Sequence, residues 1–218
     1  MLPTLSGPIH KPESGGKPRQ LVILLHGLGA DGNDLIGLAP VLAPVLPDAE
    51  FVTPDAPFPC DMAPYGYQWF SLQDRSPETI LAGVRATAPT LDAFIDDALA
   101  ARGLAEQDLA LIGFSQGTMM SLYVGLRRAR PVAGILGYSG ALIGAETLTE
   151  DIRSKPRVLL VHGDADQVVP FAALARAETA LAAAGVPVET LIRPGLGHGI
   201  DEDGLKAGAR YLKGVLAG

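Results

Sequence analysis

Short apolar runs of strand length alternate along the chain with longer segments of helical periodicity. The run Leu21-Val22-Ile23-Leu24-Leu25 is apolar at every position, as in a strand that is buried on both faces of a parallel sheet covered by helices. Further strands are predicted at residues 50–53, 109–114, 132–138, 157–162 and 186–192. Helices are predicted at residues 35–46, 77–101, 115–127, 171–184 and 201–216. This alternation predicts an α/β fold with a doubly wound, mostly parallel sheet and helices on both of its faces.

Two segments fall outside this alternation. Residues 7–20 are rich in Gly, Pro and charged residues, so we expect residues 1–20 to form an exposed N-terminal segment or hairpin. Residues 54–76 hold four prolines, the only Trp, two Tyr and two Phe, which predicts a long irregular loop. Such loops often carry function, although this one could equally pack over a sheet edge. Since no repeat or linker divides the 218 residues, we expect one domain spanning residues 1–218.

Composition restricts the partners and the compartment that we expect. The net charge is −7 and no run is rich in Lys or Arg, so nucleic acid is not an expected partner. The chain starts without a signal-like segment and never reaches about 18 uninterrupted apolar residues, so stable membrane insertion is not expected. The one cysteine, Cys60, favours a reducing compartment and hence a cytoplasmic protein. Because Asp61 disfavours its thiolate, Cys60 is interpreted as a passive thiol.

The sequence Gly113-Phe114-Ser115-Gln116-Gly117 joins the predicted strand 109–114 to the predicted helix 115–127. A serine on a tight turn between a strand and a helix is the arrangement of a nucleophile elbow. The two glycines lack a Cβ, so the turn can be sharp and the helix can pack close to the strand. Serine is also a favoured helix N-cap, which is the competing interpretation. The motif and its context favour Ser115 as the nucleophile of a hydrolase.

A serine nucleophile needs a base and an acid that orients the base. On an elbow of this kind, the acid and then the histidine follow the serine along the chain. Of the four histidines, only His162 and His198 follow Ser115, and His162 lies at a strand end before any suitable acid. His198, in a glycine-rich loop, is therefore the predicted base. Asp164 directly follows a glycine and is interpreted as a capping residue, which leaves Asp166 as the predicted acid.

The reaction would also need donors for the developing oxyanion, usually the amide after the nucleophile and one from the loop after an early strand. Gln116 supplies the first, and Leu28 in the glycine-rich loop 26–32 is the expected second donor. A phosphate-binding loop is the alternative, but residues 26–32 lack both G-x-G-x-x-G and a Lys-Ser/Thr ending. Four apolar side chains could line an acyl slot or simply pack in the core: Trp69, Leu72, Met119 and Val169.

Four motifs together resemble the phospholipase/carboxylesterase family of small α/β-hydrolases, which includes acyl-protein thioesterases and bacterial carboxylesterases. They are His-Gly-Leu-Gly-Ala-Asp-Gly at 26–32, Gly-Phe-Ser-Gln-Gly-Thr at 113–118, His-Gly-Asp-Ala-Asp-Gln-Val-Val-Pro at 162–170 and Gly-His-Gly at 197–199. The likeness extends over about residues 20–216 and keeps the family's motif order. It implies an α/β-hydrolase fold without a large cap domain, and a reaction that needs no metal or cofactor.

The resemblance implies that Ser115, His198 and Asp166 hydrolyse a small-molecule ester, with short to medium acyl chains expected. Acyl-protein thioesterase or lysophospholipase activity is the alternative, and a binding module on an inactive scaffold is disfavoured because all three residues are present. The family places an acid after a Trp-Phe pair, but here Ser71 follows Trp69-Phe70. The stretch 57–67 is also longer and more aromatic than is usual in the family, so it could form a homodimer contact or bind a lipid.

Overall fold

The computed structural model describes residues 2–216, so residues 1, 217 and 218 of the predicted domain lie outside the described residues. Seven strands form one sheet, in the order β1-β3-β2-β6-β7-β8-β9, and every neighbouring pair except β1–β3 is parallel. The strands are β1 (Ile9–His10), β2 (Gln20–Leu25), β3 (Ala49–Val52), β4 (Phe58–Pro59), β5 (Tyr67–Gln68), β6 (Leu109–Phe114), β7 (Gly134–Tyr138), β8 (Arg157–Gly163) and β9 (Val188–Arg193). The predicted mostly parallel sheet is confirmed.

Within residues 2–216, six α-helices lie between strands and a seventh follows the last strand. They are α1 (Gly32–Ile36), α2 (Ala39–Leu42), α3 (Pro77–Arg102), α4 (Gln116–Gly125), α5 (Leu148–Asp151), α6 (Ala172–Ala183) and α7 (Glu202–Leu216). The single helix predicted at 35–46 is wrong, because α1, α2 and a 3-10 helix (Ala43–Val45) divide this stretch. Pro40 and Pro44 each stand in the first turn of a new segment, since proline lacks the N–H that would continue the preceding helix.

The sheet separates two hydrophobic cores, which explains the unbroken apolar run of β2. Leu21, Ile23 and Leu25 enter one core together with side chains of α3, α4 and α6. Val22 and Leu24 enter the other, together with side chains of α1, α2 and α7. Because side chains alternate between the two faces of a strand, a strand covered on both sides must be apolar at every position.

Most described residues of the N-terminal segment are exposed, but parts of it pack against the rest of the domain. Ile9 and His10 pair antiparallel with Val52 and Phe51 at the edge of the sheet, and Leu5 is buried in the core. The loop 54–76 is irregular as predicted, apart from the short hairpin that β4 and β5 form. This hairpin contains the middle part of the loop, and the remaining residues run to the start of α3.

The carboxyl ends of the parallel strands lie at one edge of the sheet, and the loops that follow β2, β6, β8 and β9 meet there. These loops carry the motifs of residues 26–32, 113–118, 162–170 and 197–199. In α/β sheets, ligands bind outside this edge. The topology therefore assembles every sequence-predicted site residue except those of the loop 54–76 from the segments that follow β2, β6, β8 and β9, with β7 lying between β6 and β8.

Candidate active site

Ser115 stands between β6 and α4 with φ 55° and ψ −116°. A non-glycine residue with positive φ is uncommon, and such strain costs on the order of 1–3 kcal/mol. Its amide donates to the Tyr138 carbonyl at 3.0 Å and its carbonyl accepts from the Met119 amide at 3.2 Å, which holds the strained turn. Within residues 2–216 the Ser115 side chain makes no capping hydrogen bond. The competing interpretation as a helix N-cap therefore does not describe its geometry.

The two glycines of the motif are required by close packing. A Cβ at Gly117 would collide with the carbonyl groups of Leu25 and His26 at the end of β2. A Cβ at Gly113 would collide with the backbone of Thr118. The first turn of α4 therefore lies directly against the strand ends, and this contact places Ser115 beside the loop that follows β2.

His198 and Asp166 form a short hydrogen bond, with 2.8 Å between Nδ1 of His198 and Oδ2 of Asp166. The other carboxylate oxygen accepts from the amides of Val168 and Val169 at 2.8 and 3.0 Å. Burial of the Asp166 side chain alone would raise its pKa, but these three donors outweigh burial and lower the pKa below its ordinary value. Asp166 is thus an ionised, oriented acceptor for the imidazole.

The loop that carries His198 is fixed on both sides. Asp164 accepts from the Gly195 amide at 2.7 Å, so its carboxylate caps the loop instead of facing the imidazole. Ser139 donates to the Gly199 carbonyl at 3.3 Å. The imidazole packs against the Phe114 ring, with 4.9 Å between the ring centroids. These contacts restrict the position of the histidine ring before any substrate arrives.

His162 was excluded as the base, but the structure places it beside the acid. It is buried, and its Nε2 donates to the Val169 carbonyl at 2.9 Å while lying 3.3 Å from Oδ2 of Asp166. His162 thus holds the turn whose amides bind Asp166. The spacing of four residues between His162 and Asp166 is the feature of the sequence that could have indicated this contact.

A second buried histidine, His26, organises the loop that contains Leu28. Its Nε2 accepts from the Ala56 amide at 3.0 Å, so the ring proton is on Nδ1, which donates to the Gly27 carbonyl at 2.6 Å. Burial lowers the pKa of His26, which favours this neutral form. The Trp69 indole donates to the His26 carbonyl at 3.0 Å, so the ring and the backbone of His26 are both fixed.

Leu28 lies in the loop that follows β2, and Gln116 directly follows Ser115. Gln116 is the first residue of α4, where the N–H has no acceptor within the helix. Its side chain accepts from the Trp69 amide at 3.1 Å and donates to the Phe70 carbonyl at 2.8 Å. The loop of Leu28 is joined in turn to β5, because Gly29 donates to Tyr67 and Tyr67 donates to Ala30, both at 2.8 Å. The segments that carry Leu28 and Gln116 are therefore both held in place by hydrogen bonds to the loop 54–76.

Ser115 and His198 line one cavity of about 380 Å³, together with Leu28 and Gln116. Three of the four predicted pocket residues, Leu72, Met119 and Val169, also line it. The lining includes further residues that were not predicted: Phe114, Ile80, Ala141, Ile143, Ala173, Arg75 and Arg176. Most of these are apolar, so the cavity suits an apolar group attached to the reacting centre.

The prediction that Trp69 lines the acyl slot is wrong. The Trp69 side chain is completely buried, and its indole N–H donates to the His26 carbonyl. The Trp69 carbonyl accepts from the Thr87 hydroxyl at 2.7 Å, which ties it to α3. A large aromatic residue in an irregular loop looks available for a ligand in sequence, whereas here it anchors the loop to the core. From residues 54–76, Leu72 and Arg75 line the cavity.

Two structural features are absent from the described part of the chain. Within residues 2–216, no group of three or more His, Cys, Asp or Glu side chains is arranged to hold a metal ion. None of the helices described has the length and apolar character needed to cross a membrane.

A mostly parallel sheet whose carboxyl edge bears a serine on a strand–turn–helix elbow defines an α/β-hydrolase. The sequence of residues 10–216 matches the model of the phospholipase/carboxylesterase family. The chain belongs to this family, as its four motifs predicted, and is a carboxylesterase-type hydrolase. The described residues contain no large cap domain.

Similar proteins include enzymes named as esterases. The esterase YpfH of Escherichia coli (strain K12) is 30% identical over 202 residues, which cover 92% of this chain and 85% of that protein. The crystal structure of esterase PE8 is 43% identical and superposes with a TM-score of 0.94, covering 98% of this chain and 100% of that one. Acyl-protein thioesterase 2 of Zea mays is 26% identical, with a TM-score of 0.77 and coverage of 95% and 97%.

Proposed function

We propose that Ser115, His198 and Asp166 form a catalytic triad that hydrolyses carboxylic esters of short to medium acyl chains. The observation that carries this proposal is that the strained serine and the Asp166-bound histidine line the same cavity. Leu28 and Gln116 line the same cavity, and we assign their backbone amides as the donors for the oxyanion. The mostly apolar lining and the volume of about 380 Å³ favour an apolar acyl segment next to the reacting carbonyl.

In the proposed reaction, His198 removes the proton of Ser115 as the serine oxygen attacks the acyl carbon. Asp166 keeps the imidazole oriented and stabilises its cation. The amides of Leu28 and Gln116 bind the oxyanion of the tetrahedral intermediate. His198 then gives its proton to the departing alcohol, which leaves an acyl-serine. Water repeats the sequence and releases the carboxylic acid.

A thioester substrate is the second candidate. The similarity to a plant acyl-protein thioesterase favours it, because the same triad chemistry cleaves an acyl thioester. A lysophospholipase activity belongs to the same group of alternatives, since the family description includes phospholipases. Parallel assays of an acyl ester, an acyl thioester and a lysophospholipid with the same acyl chain would rank the three.

The proposal is tested by replacing the nucleophile. We expect Ser115→Ala to lower kcat on 4-nitrophenyl butyrate by at least about 10³-fold and to abolish labelling by a fluorophosphonate. Ser121→Ala is the matched control, because Ser121 is a buried serine of the same helix α4 and does not line the cavity. Ser115→Ala with near wild-type turnover would overturn the proposal, and failure of the wild type to react with the label would favour a binding module.

A further inference from the structure

A second cavity adjoins the one that contains Ser115. It has a volume of about 620 Å³ and lies between the start of α3, residues 141–146 and α6. Six residues line both cavities and thus form a junction between them: Arg75, Ile80, Ala141, Ile143, Ala173 and Arg176. An acyl chain that starts at Ser115 and enters this junction can continue into the second cavity.

The junction contains four apolar residues and two arginines, and it contains no carboxylate. Acidic residues lie farther out on either side. Asp34 lines only the cavity of Ser115, whereas Glu78 and Glu146 line only the second cavity. In a chain with a net charge of −7, two exposed arginines therefore line the junction, whereas these three carboxylates line only one cavity or the other.

Neither arginine is neutralised by a neighbour. Within residues 2–216 no ion pair to Arg75 or Arg176 occurs, whereas Arg127 and Arg128 are both paired with aspartates. The carboxylate next to Arg75 in sequence, Asp74, accepts from the Ser76 amide at 2.8 Å and from the Thr79 hydroxyl at 2.7 Å, so it is bound to the start of α3. The two guanidinium groups are left to bind an anion from outside the chain.

We propose that the preferred substrates carry a carboxylate at the far end of the acyl chain, so that they are half-esters or half-thioesters of dicarboxylic acids. The methylene groups lie along Ile80, Ala141, Ile143 and Ala173, and the distal carboxylate binds Arg75 and Arg176. Guanidinium groups form charge-assisted, often bidentate hydrogen bonds with carboxylates. The reaction is unchanged: water cleaves the acyl bond, and the products are the dicarboxylate and the alcohol or thiol. The inference rests on the proposed function of Ser115.

The test compares mono-4-nitrophenyl esters of adipic, suberic and sebacic acid with the 4-nitrophenyl alkanoates of the same chain lengths, after subtraction of spontaneous hydrolysis. We expect wild-type kcat/KM to be at least about tenfold higher for the charged member of the best pair. We expect Arg75→Gln and Arg176→Gln each to lower this ratio by about tenfold, mainly through KM, and Arg→Lys at either position to restore part of it. Arg153→Gln is the control, since Arg153 is exposed and lines neither cavity.

Salt provides a second measurement, because a charge-based preference must shrink as ionic strength rises. A wild-type ratio near one, or a ratio that both glutamine variants leave unchanged, would overturn the inference while Ser115-dependent hydrolysis of the neutral esters preserved the proposed function. A preference found only when the carboxylate is on the leaving group, tested with 4-carboxyphenyl against phenyl octanoate, would also overturn it. Absence of Ser115-dependent hydrolysis with every ester would instead refute the proposed function.

Discussion

Two histidines that take no part in the proposed proton transfer hold loops that carry residues of the proposed catalytic machinery. His26 and His162 each lie at the end of a strand directly before a glycine, and each uses its ring to bind backbone of an adjacent loop. His26 binds the Ala56 amide and so fixes the loop of Leu28, whereas His162 binds the Val169 carbonyl and so fixes the turn around Asp166. Each buried imidazole thus connects a strand end to a loop by a hydrogen bond.

At this scale we expect His26→Ala to lower kcat on 4-nitrophenyl butyrate by about 10- to 100-fold with a smaller change in KM. The Ala56 amide loses its acceptor and the loop of Leu28 loses its anchor, so an oxyanion donor is misplaced. His26→Gln, whose amide oxygen can accept from Ala56, should recover part of kcat. Steady-state kinetics with His10→Gln as a distant control checks this, and equal kcat in His26→Ala and wild type would contradict it.

At the scale of elements, the contact between α4 and the end of β2 decides where the serine stands. The helix approaches so closely that the carbonyl groups of Leu25 and His26 occupy the space of a side chain at Gly117. A glycine on either side of a serine signals such an approach, which is why the elbow could be predicted from sequence. The stretch 35–46 shows the opposite case. Its apolar pattern predicts one helix, whereas in the structure two prolines divide it.

We expect Gly117→Ala to lower the free energy of unfolding by about 3 kcal/mol, since its Cβ meets backbone that cannot move aside. Gly214→Ala is the matched control: Gly214 lies in α7, is exposed, and has no atom near the position of an added Cβ. Because alanine favours a helix more than glycine does, this control should gain about 0.5–1 kcal/mol. Urea unfolding measures both, and a loss below that of an ordinary surface substitution at Gly117 would refute the packing explanation.

For the whole molecule, the arrangement of strands and the motifs at their carboxyl ends were predictable, because local periodicity and chain order determine both. Contacts between distant segments leave no comparable signal in the sequence. The prediction that Trp69 lines the pocket is wrong because its hydrogen bonds to His26 and Thr87 cannot be recognised in the sequence. These bonds join parts of the chain that lie far apart in sequence. The two arginines of the junction were missed for the same reason, since Arg75 and Arg176 come together only through folding.

Acid stability of the whole protein should depend on His26. Its folded-state pKa lies below the ordinary value of 6.5, so the unfolded state binds the proton more readily. The free energy of unfolding should therefore fall as the pH drops from above 6.5 towards the lowered folded-state pKa. Asp166, whose lowered pKa starts from an ordinary value of 3.8, contributes only at more acidic pH.

The measurement is urea unfolding of wild type and His26→Gln between pH 7.5 and pH 5, roughly the range in which histidine titrates. The wild type should lose more stability than the variant, because glutamine does not titrate and the other three histidines are common to both. Parallel curves for the two proteins would show that protonation of His26 does not couple to folding.

The bonds between Gln116 and the Trp69-Phe70 backbone have a consequence for how the family can diversify. They attach the loop 54–76 to the elbow at its base, and Tyr67 attaches it there a second time through Gly29 and Ala30. The tip beyond the Cys60–Gly66 hydrogen bond bears none of these attachments. Asp61 is still held by Gln68, whose side chain accepts from its amide at 3.1 Å. Insertions and exchanges at residues 62–65 can therefore accumulate without displacing the proposed oxyanion donors, so the outer face of the protein can change over evolution faster than its chemistry.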